Sequence, residues 1–125
     1  MNPLKQLEHC GQSPWLDYVR RSLIRNGELA TLIERDGLKG VTSNPSIFQK
    51  GIGESEEYAG DFHAVHGGGS DDVSEIYEHI AGGDITEAAD VLRPVYDQFK
   101  ANDGFVSLEV SPYLAMDTKA TIAEA

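Results

Sequence analysis

The sequence predicts an α/β fold in which strands and helices alternate within one domain, or part of one, over residues 1–125. Short apolar runs suited to buried strands lie at 14–18, 38–43 and 105–110. Helical patterns lie between these runs, and the connections are short, without a low-complexity linker. With 125 residues, 40% of them hydrophobic and 25% charged, the chain can bury one modest core.

Helical segments are predicted to follow the first two strands directly. Residues 20–26 and 28–35 form two pieces separated at Gly27, and the second piece carries an apolar stripe. After the second strand, Asn44 supplies a helix N-cap and Pro45 occupies the first helical position. Each strand therefore leads into helix, as expected for a parallel sheet.

Further helices are predicted at 55–66 and 72–81. Asp84 begins the clearest amphipathic helix, because apolar residues at three- and four-residue spacing form one face: Ile85, Ala88, Leu92, Val95 and Phe99. Pro94 should kink or restart this helix, since proline removes a backbone donor and clashes with the preceding turn. A last helix is predicted from 117 to the end of the sequence, with no stop signal.

Composition and charge exclude several classes of function. The formal net charge of -11 disfavours nucleic acid and anionic membranes, which need clustered Lys or Arg. No apolar stretch is long enough for a membrane span, and the N-terminal residues show no long apolar h-region before a small-residue cleavage site. A cytoplasmic location is therefore expected. Cys10 is the only cysteine, so an internal disulfide or a thiolate metal cage cannot form.

No metal site is predicted. His63 and His66 are three residues apart on a predicted helix, but a third ligand that converges with them is not evident. The acidic stretch at 71–87 lacks the ligand pattern and the glycine of a calcium loop. Both features are interpreted as solvent-facing helix surface.

Side-chain parity places polar groups on one face of each predicted strand, because successive strand residues point to opposite faces. In a parallel barrel, the apolar face would pack beneath helices, while polar groups near the carboxyl ends of strands would face an active-site mouth. The apolar face of the third strand would consist of Val106, Leu108 and Val110. The polar residues Thr42 and Asn44 share one parity, as do Ser107 and Glu109, and Asp17 shares its parity with Trp15.

Some of these polar residues have simple structural interpretations. Asp17 could pair with Arg20 or Arg21, which follow it closely. Asn44 could serve only as the N-cap of the next helix, an interpretation that Pro45 strengthens. Both alternatives remain open from the residues alone.

Glu109 is the strongest functional candidate of the set. A carboxylate within a Val- and Leu-flanked strand is costly to bury without a partner, and such residues are disproportionately functional. Thr42 and Ser107 are ambiguous, because threonine suits strands and small hydroxyls often satisfy nearby backbone groups.

Three segments in combination resemble the transaldolase family. They are WLDYVRR at 15–21, GVTSNPSIF at 40–48 and SLEVSPYLAMDT at 107–118. The resemblance is strongest to the branch that includes transaldolase domains fused to glucose-6-phosphate isomerase, and with the intervening helices it covers nearly the whole chain. Each segment alone would be weak, but their order and spacing are specific together.

The resemblance implies the N-terminal portion of a TIM (β/α)8 barrel of the class I aldolase type, truncated after about three strands. It implies a transferase of the pentose phosphate pathway that uses sugar phosphate substrates. Such an enzyme moves a dihydroxyacetone unit from sedoheptulose 7-phosphate or fructose 6-phosphate to an aldose phosphate through a lysine Schiff base. It implies no metal and no organic cofactor.

The resemblance also implies roles for individual residues. Asp17 matches the aspartate that removes the proton from the substrate hydroxyl beside the bond being cleaved. Glu109 matches the glutamate that acts through a water in forming and dehydrating the carbinolamine, and Thr42 lies near that water. Asn44 matches an asparagine that hydrogen-bonds the dihydroxyacetone unit, and Ser107 is expected to orient its neighbours.

The imine-forming lysine of the family lies on a later strand, and none of the lysines here matches it: Lys5, Lys39, Lys50, Lys100 and Lys119. Lys39 begins its strand and so faces the wrong end of a barrel. A complete barrel needs about 250 residues. The isolated chain is therefore expected to be inactive, and to self-associate or fold poorly unless the rest of the barrel is supplied.

Two alternatives to a transaldolase remain open. A noncatalytic half-barrel remnant could act as a binding or assembly module, and it would predict a natural chain that ends near Ala125. A related imine-forming aldolase with a different acceptor preference is the other alternative, and only substrate profiling would separate it from a transaldolase.

Overall fold

The computed structural model describes residues 2–44, 56–68 and 73–125. Helices and strands alternate, which confirms the predicted α/β class. The elements are α1 (Pro3–His9), β1 (Trp15–Leu16), α2 (Arg21–Arg25), α3 (Glu28–Asp36), β2 (Gly40–Thr42), a 3-10 turn (Glu56–Tyr58), α4 (Ala59–Gly67), α5 (Val73–Gln98), β3 (Phe105–Ser107), a second 3-10 turn (Pro112–Leu114) and α6 (Thr118–Glu124).

The described strands form one parallel sheet in the order β1-β2-β3. Val41 in the central strand is level with Leu16 on one side and Val106 on the other. Parallel neighbours require a crossover, and the helices between the strands provide it. The three carboxyl ends therefore meet at one edge of the sheet, which we call the carboxyl edge.

The core lies between one face of the sheet and the helices. Leu16, Val41 and Val106 lie level with one another on the three strands and all pack in the main apolar cluster, as strand parity requires. Helices α2, α3 and α5 supply most of the buried partners: Leu23, Ile24, Leu29, Ala81, Ala88, Leu92 and Val95. The sheet is thereby anchored on its helical side.

The strands are shorter than the sequence predicted. The prediction extended the third strand to Val110, but β3 ends at Ser107. It also placed Leu108 on an apolar face beneath helices, which is wrong because 49% of Leu108 is exposed. Only residues with a partner on a neighbouring strand join the ladder, and side-chain type alone does not reveal where that pairing stops.

The helix prediction around Asp84 was also wrong. One helix, α5, runs from Val73 to Gln98, where the sequence predicted one helix ending near Ala81 and another beginning at Asp84. Gly82 and Gly83 lie within it, since glycine weakens a helix without forbidding it. The helix neither ends nor restarts at Pro94.

Asp84 does not begin a helix, as predicted, but is a buried ion-pair partner within α5. Its Oδ1 accepts a hydrogen bond from Arg21 Nε at 2.8 Å, and its Oδ2 accepts one from the Tyr58 hydroxyl at 2.8 Å. Arg21 lies over the Tyr58 ring, 4.5 Å from its centroid, and also pairs with Asp61. This cluster ties α2, α5 and the first 3-10 turn together.

Helix α1 was not predicted. Its first turn is capped by Asn2, whose side-chain oxygen accepts a hydrogen bond from the Leu4 backbone at 2.9 Å, and Pro3 occupies the first helical position. The predicted helix starting at 117 is confirmed with Asp117 as its N-cap. The predicted cap at Asn44 and Pro45 opens onto residues 45–55, which lie outside the described part of the chain.

Candidate functional site

Asp17, Thr42 and Asn44 meet at the carboxyl edge of β1 and β2. The Thr42 hydroxyl donates a hydrogen bond of 2.6 Å to Asp17 Oδ1, and the Asn44 amide donates one of 3.3 Å to Oδ2. Each carboxylate oxygen therefore has one side-chain donor. The sequence predicted this convergence, because the three residues lie at or just after the carboxyl ends of β1 and β2 and their side chains point to the same face of the sheet.

The structural interpretation of Asp17 as an arginine partner is wrong. Arg20 Nε lies 3.5 Å from Glu57, and Arg21 pairs with Asp84 and Asp61. The carboxylate of Asp17 is held by neutral donors and is exposed to solvent. A carboxylate held in this way keeps a fixed orientation while its lone pairs remain able to accept a proton.

Ser107 lies directly opposite Thr42 in the register of β2 and β3. Its carbonyl oxygen accepts a hydrogen bond of 2.9 Å from the Ser43 backbone N–H. Both Ser107 and Glu109 are exposed at the carboxyl edge. The register therefore places Ser107 level with the Asp17 and Thr42 pair.

Glu109 lies two residues beyond the end of β3 and is exposed. The expectation of a carboxylate on a buried-looking strand face is therefore wrong, because the strand ends before the residue. Its backbone N–H donates a hydrogen bond of 3.1 Å to Ser43 Oγ. Burial raises the pKa of Tyr77 on α5, and the negative charge of Glu109 raises that pKa further.

Ser43 is the residue that sequence reasoning missed. It is only 1% exposed, and both its backbone and its hydroxyl connect β2 to the segment after β3. The signal that could have identified Ser43 is its position in the alternation of the second strand. Between Thr42 and Asn44, a residue of opposite parity should face the apolar core, and a hydroxyl there needs a partner.

Lys39 lies at the other end of β2, before the strand begins. Its Nζ pairs with Glu8 Oε2 at 3.1 Å and lies 3.5 Å from the Phe99 ring centroid. Lys5 lines the same region, a cavity of about 480 Å³ bordered by α1, α3 and α5. Neither amine lies at the carboxyl edge, and Lys50 is outside the described residues.

Within residues 2–44, 56–68 and 73–125, no set of three or more His, Cys, Asp or Glu side chains is arranged to hold a metal ion. In the same ranges, no helix combines the length and apolar character that crossing a bilayer requires.

Several curated proteins are similar to this chain. Transaldolases from Thiobacillus denitrificans and Thermobifida fusca are 46% and 48% identical to it over 125 and 126 residues, which cover 100% and 99% of this chain but 34% and 33% of theirs. A transaldolase from Trichodesmium erythraeum is 44% identical over 124 residues, 99% of this chain and 32% of that protein. The chain thus spans about a third of the length of these relatives.

The family model described as Transaldolase/Fructose-6-phosphate aldolase matches residues 14–125. The match begins one residue before β1 and includes every strand of the described sheet together with the carboxyl edge. The chain belongs to the transaldolase/fructose-6-phosphate aldolase family.

Proposed function

We propose that residues 1–125 form the N-terminal part of a transaldolase (β/α)8 barrel and contribute part of its active site. The observation that carries the proposal is the pair of hydrogen bonds that Thr42 and Asn44 donate to the Asp17 carboxylate at the carboxyl edge of a parallel sheet. Barrel enzymes place catalytic groups at the carboxyl ends of their strands. The similarity to transaldolases along the whole chain supports this assignment.

The proposed reaction transfers a dihydroxyacetone unit from a ketose phosphate to an aldose phosphate, a step of the pentose phosphate pathway. A lysine imine of the ketose accepts the electron pair released when the carbon–carbon bond breaks. Asp17 takes the proton from the hydroxyl beside that bond, and the aldehyde product leaves. When the dihydroxyacetone unit adds to the acceptor aldehyde, Asp17 returns the proton to the oxygen that becomes the new hydroxyl, which completes the cycle.

The other residues at the edge assist this chemistry. Glu109 activates a water while the imine forms and hydrolyses, and Thr42 fixes the Asp17 carboxylate. Asn44 can bind the dihydroxyacetone unit with its amide, and Ser107 is level with Thr42 on the neighbouring strand. Asp17 therefore handles proton transfer at the substrate hydroxyl, whereas Glu109 handles proton transfer during formation and hydrolysis of the imine.

The imine-forming lysine must come from the part of a transaldolase that this chain does not match. Lys39 is paired with Glu8 at the opposite end of β2, which leaves it unsuited to the role. We therefore propose that residues 1–125 alone do not turn over substrate. Sugar phosphates and the remaining barrel strands are the expected partners, and the cytoplasm is the expected location.

A chimera tests the proposal directly. Residues 1–125 replace the aligned segment of the Thiobacillus denitrificans transaldolase, to which they are 46% identical. We expect the chimera to transfer a dihydroxyacetone unit from fructose 6-phosphate to erythrose 4-phosphate. Asp17→Asn should lower kcat by roughly 100-fold to 10,000-fold, the range for loss of a general base.

Asp90→Asn is the matched control, because Asp90 is exposed on α5, and among the described residues no hydrogen bond or ion pair joins it to the carboxyl edge. A folded chimera without activity, or one insensitive to Asp17→Asn, would overturn the proposal and favour a noncatalytic binding or assembly role. Release of free dihydroxyacetone without any need for the acceptor would instead indicate an aldolase.

A further inference from the structure

The hydrogen-bond ladder between β2 and β3 becomes irregular at Glu109, whose backbone N–H bonds a side-chain oxygen and not a backbone carbonyl. Ser43 N–H donates to the Ser107 carbonyl at 2.9 Å, as in a regular parallel pair. A regular ladder would continue with the Glu109 N–H donating to the carbonyl oxygen of Ser43. Here that N–H donates to the Ser43 hydroxyl at 3.1 Å instead.

We propose that Ser43 is a positioning residue whose buried hydroxyl sets the location of the Glu109 backbone at the carboxyl edge. The hydroxyl replaces a carbonyl as acceptor, so the chain after Ser107 can leave the ladder and still remain attached to β2. Side-chain acceptors of this kind compete with regular backbone pairing. The Glu109 Cα, and with it the origin of the carboxylate side chain, is fixed by this bond.

Burial makes the Ser43 hydroxyl difficult to replace. Ser43 is 1% exposed, so an alanine there would leave the partly buried Glu109 N–H without its acceptor. Glu109 itself is exposed, and nothing else that the structure describes bonds its backbone N–H. A lost bond should therefore loosen the backbone at Glu109 while the Asp17, Thr42 and Asn44 contacts remain.

This inference rests on the proposed function where it concerns rates. In the active chimera, Ser43→Ala should lower kcat by roughly 10-fold to 100-fold, the scale for misplacing a catalytic group by about 1 Å or less, with KM little changed. Ser43→Thr keeps the hydroxyl and should recover most of kcat. Ser13→Ala is the matched control, since it removes a hydroxyl that bonds Asp103 in an exposed position.

A double-mutant cycle separates positioning of Glu109 from general stability. If Ser43 acts through Glu109, adding Ser43→Ala to Glu109→Gln should cost little further kcat. Fully additive losses would overturn the proposal. If Ser43→Ala does not fold, Ser43→Cys provides the test, because it keeps a side chain of similar size with a weaker acceptor and should show an intermediate loss.

Amide hydrogen exchange tests the same bond without any activity. In the folded chimera, Ser43→Ala should speed exchange at the Glu109 N–H by about 5-fold to 10-fold, and Ser43→Thr should restore protection. Unchanged exchange would overturn the proposal. An inactive unsubstituted chimera with the expected exchange pattern would instead reject the transaldolase function and keep the structural link between Ser43 and Glu109.

Discussion

Thr42 donates a hydrogen bond of 2.6 Å to Asp17, although 25 residues separate them in the chain. The two residues follow neighbouring parallel strands, so the register of β1 and β2 brings them level. Asn44 adds a donor on the second carboxylate oxygen at 3.3 Å. The base that we propose for the transaldolase reaction is therefore oriented before substrate binds, which lowers the cost of reaching a reactive geometry.

Thr42→Val should weaken catalysis by freeing the Asp17 carboxylate. Valine keeps the shape of threonine but cannot donate, and a hydrogen bond to a charged group contributes about 1.5 to 3 kcal/mol, which corresponds to roughly 10-fold to 100-fold in kcat. Thr42→Ser, which keeps the donor, should lose much less. Steady-state kinetics of the chimera measure both variants, and equal losses would contradict the role of the hydroxyl.

Asp84→Asn should destabilise the fold without touching the carboxyl edge. It removes the charge that Arg21 pairs with at 2.8 Å in the interior, where breaking an ion pair costs about 3 kcal/mol or more. Asp61 remains as a second partner of Arg21, so the lower end of that range is expected. Denaturant unfolding of the chimera gives the free energy, with Asp90→Asn as the exposed control; matching values would contradict the expectation.

Tyr58 should make the protein less stable in alkali. Burial raises the pKa of its phenol above the ordinary value of 10.0, and the negative charge of Asp84 raises it further. Above about pH 10 the unfolded chain loses this proton while the folded chain keeps it, so the free energy of unfolding falls by about 1.4 kcal/mol per pH unit until the folded-state pKa is reached. Below that window the group contributes no slope.

The measurement for Tyr58 is the free energy of unfolding of the chimera between pH 8 and pH 11, compared with that of Tyr58→Phe. The variant should be less stable at neutral pH, because it loses the bond to Asp84, but it should show a shallower decline above pH 10. Parallel declines in both proteins would rule out Tyr58 as the source.

Gly104 and Gly83 should respond in opposite directions to alanine. Gly104 has a φ of +86°, and a Cβ there would collide with the backbone nitrogen of Tyr96, so Gly104→Ala should be strongly destabilising. Gly83 lies within α5 with nothing near its missing Cβ, so Gly83→Ala should stabilise by about 0.5 to 1 kcal/mol. Thermal melts of both variants in the chimera measure the pair, and a shared direction would contradict the packing at Gly104.

The isolated 125-residue chain should self-associate or fold poorly. It exposes large apolar side chains, including 49% of Leu108, 98% of Met116 and 72% of Ile122, and its outer strands β1 and β3 have free edges among the described elements. Light scattering after size exclusion should give a mass above 13.6 kDa. Leu108→Lys with Met116→Lys should reduce association, whereas a cooperatively melting monomer would contradict this expectation.

The sequence was sufficient for the alternation of strands and helices and for part of the site, although it missed α1 and divided α5 into two helices. Strand and helix patterns predicted the α/β class because they depend on local periodicity, which short apolar runs and amphipathic stretches preserve. Parity within the strands also indicated that Asp17, Thr42 and Asn44 share one edge, and the register of the sheet brings them into contact. The order of the motifs added the resemblance to the transaldolase family, which the match of the family model to residues 14–125 confirms.

Tertiary structure decided which distant residues become partners, both in the core and at the carboxyl edge. Asp84 resembled a helix start but pairs with Arg21 inside the protein, and Glu109 resembled a strand residue but follows the end of β3. Ser43 was not among the functional residues predicted from the sequence, yet its hydroxyl holds the Glu109 backbone. These contacts join residues far apart in the chain, and local periodicity carries no information about which distant group will be the neighbour once the core has packed.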